Sequence, residues 1–546
     1  MHKHTIAVRL LIIGGICLVI AFSYKGVLSI YFLGDDFSYL YHVANGAREG
    51  RSLSQLLDEL ISPPYRGGFF YRPFVVVSLL GDYLMYGANP IGWHFTSLML
   101  HLVNVVLLWR LVEQVVGKWH GRSSLIVGGA AALIFALRPS TPETVAWPAA
   151  RGDELVLLGF LVAFLAYLRA NGRRGHFYFL ALGAYIFALG SKEAAVTLPG
   201  GLLALHAAGF ISKEPNVGEK KWLAWICQTI KGVGPFVMIL LVYFVWRFFL
   251  FGTPFKVYQD IPPIDLNNPA WRAVKLHALR FFLVPSIKMT LLAKFFLLVT
   301  SIQVLLGFIT AWHSTVARRP WVFGMCWLMA SLLPMAQHLF IAPTGEGARL
   351  LYIPGAALSV LLAAPLAAFS TTAQKGKTFR QHLPIAAVIG VTALICLSVP
   401  LQKDLMRPWL KAGQSMKALP AAIAARAEAV PEGCLAILVI PDHVDGALFG
   451  RNGQGALMEP PVQVRSLLSR VLVVTPPSLG EHAPRLAMSP QQAFRLEHWI
   501  WNVKEEQFER LHLREHDSNT WLDAWKSALL DSDSLWLSDE LARLFN

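Results

Sequence analysis

Long apolar runs alternate with short polar runs along most of the chain. About 20 apolar residues are needed to cross a bilayer as a helix, and shorter apolar helices pack inside a bundle. A run from Phe74 to Tyr86 is short and predicts a helix at the membrane interface. The other runs predict eleven spans: Ile6–Leu33, Gly92–Val115, Leu125–Leu137, Leu155–Leu168, Phe177–Leu189, Ala194–Phe210, Val233–Phe251, Met289–Trp312, Val322–Phe340, Leu350–Phe369 and Leu383–Leu401.

The composition agrees with this pattern. Of the 546 residues, 55% are hydrophobic and only 15% are charged, and the mean hydropathy is +0.48. Soluble domains carry about 25% charged residues. The sequence therefore predicts a polytopic α-helical membrane protein.

The pattern changes after Leu401, where the chain becomes polar. We predict a transmembrane domain over residues 1–402 and a small α/β domain over residues 403–546. Short β-branched runs at Ala436–Ile440 and Val471–Val474 indicate strands. Two further stretches, Ser489–Glu509 and Trp521–Phe545, are interpreted as helices, and no repeat is evident.

The charges of the loops predict the orientation. Short basic loops lie near residues 118, 172, 216, 318 and 377, whereas the intervening loops hold nearly all the acids. Positively charged loops stay in the cytoplasm, so the acidic loops and residues 403–546 are expected outside. The net charge of +14 is explained in this way, and no nucleic-acid partner is expected. The basic start before Leu10–Phe22 indicates an uncleaved signal anchor.

Two adjacent acids, Asp35 and Asp36, follow the first span in a large outer loop over residues 34–72. One carboxylate can remove a proton from an attacking hydroxyl, and a second can raise its pKa or orient the acceptor. These two residues are our candidate catalytic groups. Two alternatives remain open: Asp35 caps a helix near Phe37, or the pair holds a divalent cation. No other metal site is indicated, because the five cysteines have no ligand spacing.

Further polar residues lie at the outer ends of later spans. His94 shares a helix face with His101 and Asn104, which either face substrate or hold helices together. Glu143 and Arg151 are interpreted as substrate-binding residues or as an ion pair that shapes their loop. The other candidates for substrate binding are Asp153, Lys192, Glu193, Glu346, Arg349 and Tyr352. Lys192 and Arg349 either hold a phosphate leaving group or extend to lipid head groups.

Taken in order, these motifs resemble a known family. The acid pair after the first span resembles membrane glycosyltransferases of the GT-C superfamily. The ordered set over about residues 30–370 resembles the transmembrane and tetratricopeptide-containing O-mannosyltransferases. The motifs are Tyr71-Arg72-Pro73, Asn89-Pro90-Ile91-Gly92-Trp93-His94, His101-Leu102-Val103-Asn104, Glu143, Arg151-Gly152-Asp153, Ser191-Lys192-Glu193 and Arg349-Leu350-Leu351-Tyr352-Ile353-Pro354.

The resemblance implies a sugar donor carried on polyprenyl phosphate and an inverting transfer outside the cytoplasm. It implies Asp35 as base, Asp36 as its partner, and Lys192 and Arg349 on the phosphate. The chain departs from the family in three respects. It has Arg138-Pro139 in place of His-Pro, its Glu346 lies three residues from Arg349 rather than beside it, and it lacks the repeats. The resemblance therefore does not identify the acceptor.

We predict a multi-pass glycosyltransferase, expected in a bacterial inner membrane with its site on the periplasmic side. Its expected partners are a polyprenyl-phosphate sugar, membrane lipid, and an extracytoplasmic glycan, lipid or protein acceptor. Two other classes remain open. A flippase for lipid-linked glycans would carry charges deep within its spans and internal repeats. An envelope scaffold would act through its C-terminal domain alone.

Overall fold

The computed structural model describes residues 2–52, 54–55, 70–117, 121–171, 173–211, 221–254, 290–332, 346–368, 378–476, 478 and 496–511. The described helices are α1 (His2–Ser23), α2 (Asp35–Arg48), α3 (Pro73–Tyr86), α4 (Pro90–Gly117), α5 (Gly121–Ala136), α6 (Pro142–Ala146), α7 (Arg151–Ala170), α8 (His176–Leu189), α9 (Leu198–Ala207), α10 (Lys221–Phe251), α11 (Leu291–His313), α12 (Thr315–Leu332), α13 (Tyr352–Ala363) and α14 (Thr378–Ala429). Most of the described helices overlap the predicted apolar segments, whereas α2 and α6 lie in stretches predicted as polar loops.

Five stretches of the described chain are long and apolar enough to cross a membrane. They are Pro90–Gly117, Trp225–Phe251, Leu291–His313, Ala348–Ala368 and His382–Ala429, and four shorter apolar helices accompany them. The protein is therefore a helical membrane protein, as predicted. The count of eleven spans stays a prediction.

The bundle is held by close helix contacts at small residues. A Cβ atom on Gly159 of α7 would lie 2.8 Å from the carbonyl oxygen of Ala184 in α8. A Cβ atom on Gly324 of α12 would lie 2.9 Å from the backbone nitrogen of Leu361 in α13. Membrane helices pack through such residues because lipid supplies no hydrophobic force between helices, and close backbone approach maximises dispersion contacts.

The last helix continues past the predicted end of the membrane segment. Helix α14 extends to Ala429, and its later turns pack against a sheet, where the indole of Trp501 donates to Ser415 Oγ at 3.0 Å. The strands are β1 (Leu435–Val439), β2 (His443–Val444), β3 (Ala447–Leu448), β4 (Val471–Val474), β5 (Leu496–Asn502) and β6 (Gln507–Arg510).

The four-stranded sheet has the order β4-β1-β5-β6, with β1 parallel to β4 and β5. The two predicted strands are confirmed. The predicted helix over Ser489–Glu509 is wrong, because its described part forms β5 and β6, which pair antiparallel. Residues 496–502 carry three aromatic or β-branched side chains that suit a sheet. The predicted helix Trp521–Phe545 lies outside the described residues.

Candidate active site

The acid pair lies at a sharp turn that opens α2. Gly34 has φ of +51°, and the helix begins at Asp35 itself, so Asp35 is not in the capping position considered from the sequence. The buried carboxylate of Asp36 accepts from the backbone N–H of Leu33 at 3.0 Å and from that of Ala149 at 2.8 Å. Asp35 is only half-buried. Asp36 therefore ties the turn to a second loop, while Asp35 is the more accessible carboxylate.

Burial also changes the pKa of Asp36. Loss of water raises the pKa of Asp36 from 3.8 to about 8, and the charge of Asp35 adds to the increase, against the two backbone hydrogen bonds. A rise of this kind is expected when a carboxyl group leaves water. Asp36 thus influences Asp35 mainly by fixing the turn in which both residues lie.

The loop that receives Asp36 also connects to Arg349. The indole of Trp147 donates to the carbonyl oxygen of Leu33 at 3.1 Å, and the guanidinium of Arg349 lies 5.0 Å from the centre of the Trp147 ring. A cation over an indole face is attracted by the ring quadrupole. Trp147 therefore lies between the acid turn and this arginine.

The side chain of Arg349 forms an ion pair with Glu143. The buried Glu143 carboxylate accepts from the Arg349 side chain, from the Arg349 backbone N–H at 2.8 Å and from the Gly347 N–H at 3.2 Å. The ion pair between Glu143 and Arg151 that the sequence suggested is wrong. Arg151 instead pairs with Asp82 of α3 at 2.5 Å.

Arg151 lies fully inside the protein. Its guanidinium donates to the carbonyl oxygen of Trp93 at 2.8 Å and to Ser78 and Ser97. These partners come from α3 and α4, so Arg151 joins those helices to the start of α7. Its predicted contact with substrate stays a prediction.

A second ion pair links α7 to the exit of α8. Lys192 Nζ lies 2.5 Å from Asp153 Oδ2, and the Asp153 side chain is buried. Lys192 keeps a small exposed fraction, 11% of its side chain. The ion pair thus holds Lys192 in a position where part of its side chain reaches solvent.

The next residue, Glu193, binds two arginines. Arg72 donates to its Oε2 atom through Nε at 3.2 Å and Nη2 at 2.7 Å. Arg247 Nη1 lies 3.8 Å from its Oε1 atom. Burial raises the pKa of Glu193, but the two guanidinium groups outweigh burial and hold it below its usual value. The Glu193 carboxylate thus has two cationic neighbours.

The predicted residues His94 and Tyr352 lie deeper in the bundle. Tyr352 is buried and its hydroxyl is 2.8 Å from His101 Nδ1, with Asn104 3.4 Å away. His94 is buried against the backbone of Ile30 and Tyr31. His101 and Asn104 therefore hold helices together, the alternative considered for them.

Glu346 faces residues 442–451. Its carboxylate lies 2.8 Å from Arg451 Nη1 and 3.1 Å from His443 Nε2. Burial raises the pKa of Glu346, but the hydrogen bond and charge of His443, with the charge of Arg451, lower it to about 2. The residue thus links the segment before α13 to residues 442–451.

The acid pair fits a divalent cation poorly. Both oxygens of Asp36 are occupied by backbone N–H groups. Within the described ranges, no group of three or more His, Cys, Asp or Glu residues could hold a metal ion. Calcium takes six to eight oxygen ligands and magnesium needs an octahedral set.

Sequence reasoning missed several residues of this region. Asp82 and Trp147 gave no signal, because their partners are 69 and 202 positions away (Arg151 and Arg349). Arg72 was noted only as part of a motif. Arg247 could have been found, since it is the one charge in the predicted span Val233–Phe251, and charges within spans usually have a function.

The fold and this region together describe a polytopic helical membrane protein whose acids and paired cations meet at one end of the bundle. We call this region, made up of Asp35, Asp36, Glu143, Asp153 and their partners, the acidic end. The relatives with similar sequences are protein O-mannosyl-transferases, and they confirm the resemblance stated from the motifs.

The chain is 24% identical over 374 residues to protein O-mannosyl-transferase TMTC4 of Mus musculus, covering 58% of this chain and 49% of that protein. It is 30% identical over 190 residues to Tmtc1 of Drosophila melanogaster, covering 33% and 21%. A 120-residue match to Tmtc3 of the same fly is 32% identical and covers 19% and 13%. The chain thus matches half or less of the length of these relatives.

No protein-family model matches the sequence. Among solved structures, the chain is similar to ArnT from Cupriavidus metallidurans. The apo form gives a TM-score of 0.45 and the form bound to undecaprenyl phosphate gives 0.42. Both are 12% identical and cover 88% of this chain, with 96% and 95% of ArnT respectively.

Proposed function

We propose that the protein is a GT-C glycosyltransferase that moves one sugar from a polyprenyl-phosphate donor to an acceptor hydroxyl. The acidic end is its active site and lies on the periplasmic side of a bacterial inner membrane. The observation that carries the proposal is the half-buried Asp35 at the acidic end, in a turn that Asp36 holds in place.

In the proposed reaction the acceptor oxygen attacks the anomeric carbon as the bond from that carbon to the phosphate oxygen breaks. The acceptor proton passes to the Asp35 carboxylate, and the polyprenyl phosphate leaves with the bonding electrons. A single displacement of this kind inverts the anomeric centre. A positioned base contributes about 10²–10⁴-fold to such a rate.

Cations at the acidic end would stabilise the charge that grows on the phosphate. Lys192 and Arg349 are our proposed contacts, and both retain partly exposed side chains, 11% and 22%. Arg72 and Arg247 place two further cations around Glu193. Preformed ion pairs keep these cations oriented before the substrate arrives, so little reorganisation is needed.

The relatives named above are O-mannosyltransferases, and this supports mannose as the first donor sugar to test. The acceptor is an extracytoplasmic glycan, lipid or protein. His94, Glu143, Arg151, Asp153, Glu193, Glu346 and Tyr352 would then shape the site, several of them through the ion pairs described.

The test uses the purified full-length chain in lipid nanodiscs with radiolabelled undecaprenyl-phosphate mannose and an envelope extract. We expect transfer by the parent and a loss of about 10²–10⁴-fold in Asp35→Asn. Asp404→Asn is the matched control, because Asp404 is 53% exposed and pairs only with the nearby Arg407 among its described contacts. Full transfer by Asp35→Asn would overturn the assignment of the base.

The same preparation separates the proposal from a flippase. A flippase would move the labelled lipid across the nanodisc or vesicle bilayer without consuming it. Conversion of the donor to free undecaprenyl phosphate, dependent on extract and on Asp35, is expected only of a transferase.

A further inference from the structure

Residues 441–453 of the C-terminal domain lie directly on the acid turn. The N–H of Gly34 donates to the carbonyl oxygen of Phe449 at 2.7 Å, and the Ser38 hydroxyl donates to the carbonyl oxygen of Asn452. A Cβ atom on Gly453 would lie 2.5 Å from the Gly34 carbonyl oxygen. We call residues 441–453 the strap. It contacts the turn on both sides of Asp35.

The strap also holds the segment that carries Arg349. Arg451 donates to Glu346 at 2.8 Å and to Asp442 at 2.5–2.8 Å, and His443 lies between the same two carboxylates at 3.1 and 2.9 Å. Glu346 begins the described segment whose backbone binds Glu143. Two cations and two carboxylates thus form a closed cluster.

From these contacts we propose that the strap fixes the acid turn and the Arg349 segment relative to each other, with Arg451 as the positioning residue. The inference rests on the proposed function and adds to it a role for the C-terminal domain. Arg451 reaches Glu346 with its side chain, and the neighbouring Phe449 and Asn452 hold Gly34 and Ser38 with their backbone. Arg451 touches no reacting atom and acts through Asp35.

The physical reason lies in the geometry of the turn. Gly34 has a positive φ, and its amide donates its hydrogen bond to the Phe449 carbonyl oxygen of the strap. A base that shifts by about 1 Å loses rate on the order of 10²-fold, because attack requires close alignment. A strap that fixes the turn therefore acts on the turnover number more than on donor binding.

Two variants test the role of the strap, one by removing ion pairs and the other by adding a methyl group at a close contact. Arg451→Gln removes the ion pairs to Glu346 and Asp442, while Gly453→Ala pushes the strap away from the Gly34 carbonyl without changing charge. Arg451→Lys keeps the charge and should restore part of the activity. Lys411→Gln is the matched control, because its ion pair with Asp445 in the strap is 50% and 58% exposed.

The readouts are hydrogen exchange of the peptide containing Gly34 to Phe37, followed by mass spectrometry, and the steady-state constants for undecaprenyl-phosphate mannose. We expect faster exchange and a kcat about tenfold or more lower in both test variants, with KM changed less than about threefold. Thermal midpoints near the parent value show that the chains are folded.

Unchanged hydrogen exchange in both variants overturns the proposed role of the strap, whether or not the parent is active. Faster exchange with an unchanged kcat also overturns it, because the fixed turn then has no consequence for turnover. If the parent transfers no sugar, the proposed function fails separately, and faster exchange still supports the hold of the strap on the turn.

Discussion

The carboxylate of Asp36 accepts a hydrogen bond at 2.8 Å from the backbone N–H of Ala149, 113 residues further along the chain. Its second oxygen accepts from Leu33. The adjacent Asp35 is half-buried at the first position of α2. One acid of the pair is therefore held by the backbone on both oxygens, and the other is the better placed to take a proton from an acceptor.

We predict that the two acids respond differently to conversion to asparagine. Asp36→Asn replaces one accepting oxygen with a donating amide that faces a backbone N–H, so it should lower the free energy of unfolding by about 1–3 kcal/mol as well as activity. Asp35→Asn should lower transfer by about 10²–10⁴-fold with little change in stability. Unfolding in a detergent titration and transfer assays check both. Equal loss of stability in the two variants would contradict this division of roles.

Much of the fold could be predicted from the sequence, because apolar runs identify membrane helices without knowledge of their neighbours. The strand β5 could not. Its neighbourhood, residues 489–509, contains helix-forming Gln and Glu on both sides of the aromatic Trp499 and Trp501, and pairing with β1 decides for a strand. Tertiary contacts of this kind override local preference.

At the site, the residue types could be predicted but the pairings could not. Glu143 was expected near Arg151, which is close in sequence, yet it binds Arg349, 206 positions away. Helix packing decides which charges meet, and one sequence without an arrangement of helices does not contain that information. For the same reason the contact of Gly34 with Phe449 was not foreseen.

We expect Lys192 to have both a structural and a catalytic role. Lys192→Met leaves the buried Asp153 without its ion-pair partner, and removal of one partner of a buried pair costs about 3–5 kcal/mol. The double variant Lys192→Met with Asp153→Asn should recover most of this stability, because no unpaired charge remains. It should stay inactive if Lys192 contacts the phosphate.

Unfolding titrations and transfer assays on the two single variants and the double variant form the cycle. Lys411→Met is the control, since its exposed ion pair contributes at most about 1 kcal/mol. Transfer restored together with stability would reduce Lys192 to a purely structural residue.

The cluster at the strap predicts a specific dependence of stability on pH. His443 faces Asp442, Glu346 and Arg451, and Arg349 acts on Glu346 from the other side. Burial lowers the pKa of His443, but the two carboxylates outweigh it and raise the value from 6.5 to about 9. The stabilisation is thus complete below pH 6.5 and is lost as pH rises through about 9.

Glu346 gives the opposite limit. Its pKa is lowered from 4.5 to about 2, so its contribution is complete above pH 4.5 and is lost as pH falls toward 2. We therefore expect the parent to exceed His443→Gln in stability by about 1–3 kcal/mol near pH 6, with the difference shrinking by pH 10. Thermal midpoints measured across this range test the prediction. A difference that does not vary with pH would contradict it.

Arg72 provides the sharpest test of donor binding. Its guanidinium holds Glu193 through two nitrogens, at 3.2 and 2.7 Å, its side chain is 19% exposed, and a guanidinium is suited to bind a phosphate. Lysine keeps the charge but cannot make a two-pronged contact, so Arg72→Lys should raise KM for undecaprenyl-phosphate mannose by about tenfold while kcat changes less. Arg407→Lys is the matched control, because Arg407 is 76% exposed on α14. Binding of undecaprenyl phosphate alone, measured by competition, should weaken to the same extent. An unchanged KM together with a lower kcat would instead assign Arg72 to the transition state, and unchanged values of both would remove it from the donor site.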